Sequence, residues 1–125
     1  MTKTNLDNLK SIGDNGVLAI VGDSTNTFVE GTTQSENDAY EGLKSVIKSA
    51  NGRIIITCFA SNVARIKSII EASIENKKKV FIAGRSLNRA IEAANEVGYR
   101  VEGIEKSFKN LDNFSHDNSV IIAGG

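Results

Sequence analysis

Four short polar segments in this sequence follow runs of aliphatic residues, and each has residue types that could do chemistry. They contain small hydroxyl and amide side chains, and two of them are accompanied by an arginine just past the turn, Arg65 after one and Arg85 within another. Helix N-termini attract anions and arginine binds phosphate through two donors, so such segments suit a phosphate-bearing ligand. The same residue types also form turns and helix caps, and each segment taken alone favours that structural interpretation. The segments are GDSTN at 22–26, CFASN at 58–62, AGRS at 83–86 and AGG at 123–125.

Asp23 is the one acidic residue in these segments. Its position alone allows either a chemical role or a turn that ends a strand. The single histidine, His116, lies in FSHDNS, where an exposed loop is a better interpretation than a catalytic base. The single cysteine, Cys58, excludes an internal disulfide and a cysteine cluster for metal. It fits a buried small hydrophobic residue better than a reactive thiol.

The four apolar runs that precede the polar segments have the pattern of buried strands. They are short, rich in β-branched residues and bounded by glycine or polar residues, as strands covered on both faces should be. A short fifth strand is plausible at 99–102. The four predicted strands are 17–21, 54–57, 80–83 and 120–123.

Between the later strands, apolar residues recur at a spacing of three and four, which predicts amphipathic helices. Serines that precede these stretches are expected as N-caps, and glycines that follow two of them are expected where the helices stop. The predicted helices span 39–50, 63–74 and 87–97, with N-caps at Ser35, Ser61 and Ser86, stops at 51–52 and 98, and a short further helix near 108–113.

Strands that alternate with helices indicate a parallel sheet. We therefore predict an α/β fold of three layers, a doubly wound, Rossmann-like and mainly parallel sheet of about four to five strands with helices on both faces. The 125 residues, 40% of them hydrophobic, suit a single domain over 1–125 with one core. Ligands bind outside the carboxyl ends of strands in such sheets, so the polar segments should meet at one edge.

Fifteen basic and fifteen acidic residues cancel, so bulk charge gives no reason to expect a nucleic-acid-binding protein. Residues 51–100 nevertheless hold nine Lys and Arg against four Asp and Glu. Lys77–Lys79 fits a solvated helix end, whereas Arg65, Arg85 and Arg89 are the basic residues that could meet a ligand. No apolar run is long enough to span a membrane and no signal peptide is recognisable, which predicts a cytoplasmic protein.

Neither a Walker loop nor a dinucleotide-binding glycine motif occurs in the sequence. Instead the chain resembles ribonuclease J, a member of the metallo-β-lactamase superfamily that carries a β-CASP insertion. Several spaced blocks in the family's order are far more specific than any one of them. The blocks are GVLAIVGDSTN at 16–26, GRIIITCFASNVARI at 52–66, VFIAGRSLNRAIEAANEVGY at 80–99 and VIIAGG at 120–125.

The resemblance implies a metal-dependent RNA hydrolase with 5′–3′ exonuclease and endonuclease activity. It implies that Asp23 is a ligand shared by two divalent metal ions, usually zinc, as suits a site that activates water. The family's other ligands come largely from a His-x-His-x-Asp-His motif that this chain lacks. The wall of the groove that holds single-stranded RNA would include Ser61, Asn62, Arg65, Arg85 and Ser86.

The resemblance also suggests an excised β-CASP region, inactive alone and without bound metal. Its expected partners are the rest of the metallo-β-lactamase domain, single-stranded RNA and further copies of the chain. Two other functions remain open. The chain could be a self-contained, non-catalytic module that binds a nucleotide or a phosphorylated ligand at its strand ends, or a domain that mainly mediates subunit contacts.

Overall fold

The computed structural model describes residues 5–22, 27–105 and 107–124, without the side chains of 109, 110 and 113. The described residues fall into two compact units, with the boundary between Thr32 and Thr33. The single domain over 1–125 stays a prediction. No helix in the described ranges has the length and apolar character needed to cross a membrane.

The N-terminal unit contains one helix, α1 (Leu6–Asp14), in its described part. Asn5 caps it by accepting a hydrogen bond from the Asn8 backbone N–H at 3.0 Å. The predicted strand at 17–21 is wrong, because these residues form no strand in the structure and Ile20 is 85% exposed. A strand needs a neighbour for its backbone N–H and C=O groups, and none pairs with this segment in the described chain.

The C-terminal unit is built on a sheet of three strands, β1 (Ile54–Cys58), β2 (Lys79–Ala83) and β3 (Ser119–Gly124). The strands lie in the order β1-β3-β2 and all are parallel. The predicted parallel α/β fold is therefore confirmed, with three strands in the described residues instead of four to five. The expected fifth strand at 99–102 is also wrong, and an isolated parallel bridge joins Ile104 to Val80 on the outer side of β2.

Three helices complete this unit, α2 (Glu36–Ser49), α3 (Val63–Glu75) and α4 (Arg85–Glu96). The predicted helices at 39–50, 63–74 and 87–97 are confirmed. The further helix near 108–113 is a 3-10 helix, Phe108–Asn113, and a second 3-10 helix, His116–Asn118, holds the exposed His116.

The connections explain which face of the sheet each helix covers. From β1 at one edge of the sheet, the chain passes through α3 to β2 at the other edge, and through α4 to the bridge at Ile104 beyond β2. It then returns through the 3-10 helices to β3 in the middle. Right-handed crossovers put connections that run in opposite directions on opposite faces. Alternate residues of β3 accordingly face different clusters, Ile122 with α3 and α4 and Ile121 with Leu111.

Apolar side chains on the helical face form the main core. Ile66 of α3, Leu87 of α4 and Ile122 of β3 are fully buried there. The half-buried thiol side chain of Cys58 packs against the same cluster, as expected for a small hydrophobic residue. Helix α2 packs on α3. This core fixes the starts of α3 and α4 relative to the strand ends.

The helix caps are partly as predicted. Ser35 caps α2 in a capping box, in which its hydroxyl accepts from the Asp38 N–H at 3.2 Å and the Asp38 carboxylate accepts from the Ser35 N–H at 2.9 Å. Ser61 and Ser86 are not caps. Asn62 takes the capping position of α3 and Gly84 that of α4, which moves both predicted N-caps by one or two residues.

Candidate functional site

Two strand-to-helix turns flank the carboxyl end of the central strand. In the sheet register, Cys58 of β1 lies beside Gly124, and Ala83 of β2 lies beside Ala123. Three of the four predicted polar segments, 58–62, 83–86 and the described part of 123–125, therefore meet at one edge. Asp23 of the remaining segment lies outside the described residues, and its metal-binding role stays a prediction.

The turn after β1 places Ser61 and Asn62 at this edge. Both side chains are exposed. The Asn62 backbone N–H donates to the Phe59 carbonyl at 3.0 Å, which closes the turn. The Asn62 amide oxygen accepts from the Arg65 N–H at 3.0 Å and so satisfies the first turn of α3. Asn62 therefore has a structural role here in addition to any contact with a ligand.

Arg65 is paired with an acidic residue from another helix. Its Nε donates to Oε1 of Glu36 at 2.7 Å, and its Nη2 donates to Oε2 of the same carboxylate at 3.2 Å. This hydrogen bonding from Arg65 is the main cause that holds the pKa of Glu36 below its ordinary value, and Ser68 also contributes a hydrogen bond. In return, the carboxylate raises the pKa of Arg65. The two opposite charges at the start of α3 largely cancel.

A cleft of about 330 Å³ opens beside this ion pair. We call it the strand-end cleft; it is lined by Thr57, Cys58, Phe59, Asn62 and Arg65. Burial raises the pKa of the Cys58 thiol, and the nearby Arg65 charge opposes that shift only in part. The thiol therefore stays protonated at neutral pH, which makes it a poor nucleophile and a poor metal ligand.

The turn after β2 differs from the turn after β1. Gly84 takes the capping position of α4 with φ at +131°, and no side chain caps the helix. A Cβ at Gly124 would lie 3.2 Å from the Ser86 Oγ, so that hydroxyl lies against the end of β3. Arg85 and Ser86 begin α4 and are exposed. Within the described residues Arg85 forms no ion pair. In the described part of the chain, a helix N-terminus without a side-chain cap and a guanidinium without an ion-pair partner thus occur together.

No group of three or more His, Cys, Asp or Glu side chains in the described part of the chain is placed to hold a metal ion. The described residues therefore do not fit the two divalent ions that the family resemblance implies. Sequence reasoning also missed Glu36. Its place in the first turn of α2 is explained by the helix dipole alone, so no local pattern marked it as the partner of Arg65.

Comparisons with known proteins identify the family to which the chain is similar. A family model described as the ribonuclease J β-CASP domain matches residues 51–125. Ribonuclease J of Sinorhizobium meliloti is 40% identical over 98% of this chain, and ribonuclease J of Mycolicibacterium smegmatis is 40% identical over 77% of it. Ribonuclease J of Mycoplasma genitalium is 31% identical over 91% of the chain.

The fold and the polar strand ends define an α/β domain with a candidate ligand edge. The family match identifies the class of protein more specifically. The chain belongs to the ribonuclease J family and contains its β-CASP domain. It spans about a fifth of the length of the relatives it matches, with 22%, 17% and 20% of the three relatives covered.

Proposed function

We propose that this chain forms part of the RNA-binding groove of a ribonuclease J-like RNA nuclease. The observation that carries the proposal is an α4 N-terminus without a side-chain cap together with the exposed Arg85, which has no ion-pair partner among the described residues, at the carboxyl edge of the sheet. Backbone N–H groups at a helix N-terminus and a guanidinium both favour phosphate oxygens. A single-stranded backbone presents such oxygens at every nucleotide.

The candidate groove residues contribute unequally in this proposal. Arg85 and the first N–H groups of α4 supply the attraction for phosphate, and the Ser86 hydroxyl adds a donor beside Gly124. Ser61 and Asn62 present polar groups on the neighbouring turn. Arg65 borders the strand-end cleft, but its charge is already opposed by Glu36.

Hydrolysis of RNA requires groups beyond the described residues. The family resemblance leads us to propose that the whole protein is metal-dependent, with Asp23 among the ligands, and that the chain by itself is inactive. Association with further copies of the chain is expected on the same ground, and the cytoplasmic location predicted from the sequence composition stays a prediction. We assign no catalytic step to the residues described here.

Binding of single-stranded RNA tests the proposal. The probe is a fluorescent, 5′-phosphorylated RNA oligonucleotide, titrated by anisotropy over a series of salt concentrations. We expect weak, salt-sensitive binding, in which log K falls as log salt rises. Arg85→Ala should make this fall less steep by about 0.7, the value for one phosphate contact on a single strand.

Lys48→Ala is the matched control, because Lys48 is exposed in the last turn of α2, at the opposite end of that helix from Glu36, and forms no ion pair among the described residues. It removes the same charge and should leave the slope unchanged. Equal effects of the two variants would mean that the chain attracts RNA only through its general charge. Binding with no salt dependence in the wild-type chain would contradict the proposed function.

A further inference from the structure

The Glu36 carboxylate occupies Arg65 in the geometry that a phosphate would use. Two oxygens of Glu36 accept from two nitrogens of one guanidinium, at 2.7 and 3.2 Å. Arginine binds carboxylate and phosphate through the same planar pair of donors. A ligand phosphate therefore has to compete with Glu36 for the Nε and Nη2 donors.

The ion pair lies at the candidate ligand edge and remains open to solvent. The side chain of Arg65 is 38% exposed and that of Glu36 is 23% exposed. Arg65 also lines the strand-end cleft, so a phosphate could approach the guanidinium there. A pair that is reached by solvent can exchange one anion for another without unfolding the helices around it.

Arg65 and Arg85 therefore differ as phosphate binders, although both follow a strand end. In the described residues Arg85 has no acidic partner, whereas Arg65 is held by a carboxylate from the first turn of α2. The local net charge is close to zero at the start of α3 and positive at the start of α4. This difference makes Glu36 the residue that controls the contribution of Arg65.

We infer that Glu36 is an internal competitor of RNA phosphate, which keeps Arg65 from binding RNA until the ion pair opens. The inference rests on the proposed function, because it concerns the same RNA-binding edge. Glu36 thereby lowers the affinity of the edge for RNA and reduces its salt dependence by one contact. RNA that binds tightly enough to displace the carboxylate gains Arg65 as an additional contact.

Glu36→Gln tests the inference by removing the competing charge while keeping the size of the side chain. In the anisotropy titration the variant should bind the RNA oligonucleotide roughly fivefold more tightly, the effect of one unit charge about 4 Å away in water-like surroundings. Its fall of log K with log salt should become steeper by about 0.7, because Arg65 now neutralises a phosphate and one more counterion leaves the RNA. Unchanged or weaker binding by this variant would overturn the inference.

Glu41→Gln is the matched control. Glu41 lies on the same helix, is exposed and loses the same charge when substituted, but it takes no part in the Arg65 pair. It should change the affinity less than twofold and leave the slope as it is. A response equal to that of Glu36→Gln would reduce the effect to general charge and overturn the inference.

The double variant Glu36→Gln, Arg65→Ala shows whether the gain passes through Arg65. The increase in salt slope should be absent in this background, and its persistence would contradict the competition. In the Glu36→Gln chain, the Arg65 Nε–H resonance should move when RNA is added to ¹⁵N-labelled protein, and it should move less in the wild-type chain. An Nε–H signal of the variant that is unchanged at saturating RNA would also overturn the inference.

These experiments separate the inference from the proposed function on which it rests. Salt-dependent RNA binding that is weakened by Arg85→Ala but indifferent to Glu36→Gln would remove only the competition. Absence of salt-dependent RNA binding from the wild-type chain and from every variant would remove the proposed function and the inference with it.

Discussion

Replacing Arg65 with alanine should destabilise the C-terminal unit, whereas replacing Arg85 should not. Arg65 joins the start of α3 to the start of α2 through two hydrogen bonds to Glu36. Arg85 begins α4 and forms no ion pair among the described residues. Two arginines that look alike in the sequence should therefore give different unfolding curves.

The size of the effect follows from the geometry and the exposure of the pair. Hydrogen bonds to charged groups contribute about 1.5–3 kcal/mol when they are buried. Because the Arg65 side chain is 38% exposed, solvent screening brings the pair close to the upper end of the range for surface ion pairs, about 1 kcal/mol. For a unit of this size, such a loss lowers the melting temperature by roughly 5 °C.

The pH dependence of the difference identifies its cause. The pKa of Glu36 is lowered from its ordinary value of 4.5, with the Arg65 hydrogen bond as the largest cause. A carboxyl group whose pKa is lowered in the folded state stabilises the fold at any pH above its ordinary pKa. This contribution is lost as the pH falls through the pKa of the folded state. The gap between wild type and Arg65→Ala should therefore be full at pH 7 and should close in acid below that ordinary value.

Urea unfolding followed by circular dichroism at neutral and acidic pH measures the stability lost in Arg65→Ala and how that loss depends on pH. Arg85→Ala is the matched control, and its midpoint should stay with that of the wild type because an exposed residue without a partner contributes little. An Arg65→Ala variant as stable as wild type at pH 7 would refute the reasoning. A gap that persists after Glu36 is protonated would assign the loss to some other contact.

Three further predictions concern a helix cap, a glycine and the core of the C-terminal unit, and urea unfolding measures all of them. Asn62→Ala should cost about 1 kcal/mol by removing the cap of α3, whereas Asn62→Asp keeps an acceptor and should cost little. Gly103→Ala should destabilise by more than about 1 kcal/mol, since φ is +89° and a Cβ would also meet Ile74 Cδ1; wild-type stability would contradict this. Ile122→Ala should cost about 2–5 kcal/mol and Ile55→Ala less than about 0.5 kcal/mol, because the first is fully buried and the second is 66% exposed.

Local patterns were sufficient for the elements of the C-terminal unit. The periodic apolar residues of α3 and α4 do form the face that packs on the sheet, and the β-branched runs at 54–57 and 120–123 do form strands. These elements bury their apolar faces within the same unit, so periodicity and burial agree. A residue pattern predicts an element well when the surface against which that element packs lies in the same unit.

The pattern at 17–21 gave a wrong prediction for the opposite reason. These residues are apolar and mostly β-branched, like those of β1, yet Leu18 and Val21 are exposed and unpaired with any strand in the described chain. Strand propensity measures fit to a pleated, half-buried surface, and it does not provide that surface. Helix α1 was missed because only Leu6, Leu9 and Ile12 mark it, and all three are exposed.

For the candidate site, the sequence predicted the position of the two arginines but not the pairing of one of them. Position after a strand end correctly brought Arg65 and Arg85 to one edge, because parallel strands end together. It did not tell them apart, since the partner of Arg65 is 29 residues away in the sequence. Among the described residues, Arg65 is paired and Arg85 is not because α2 packs on α3 and brings Glu36 to Arg65. The net charge at the start of α3 is therefore set by a helix that contributes no strand-end segment of its own.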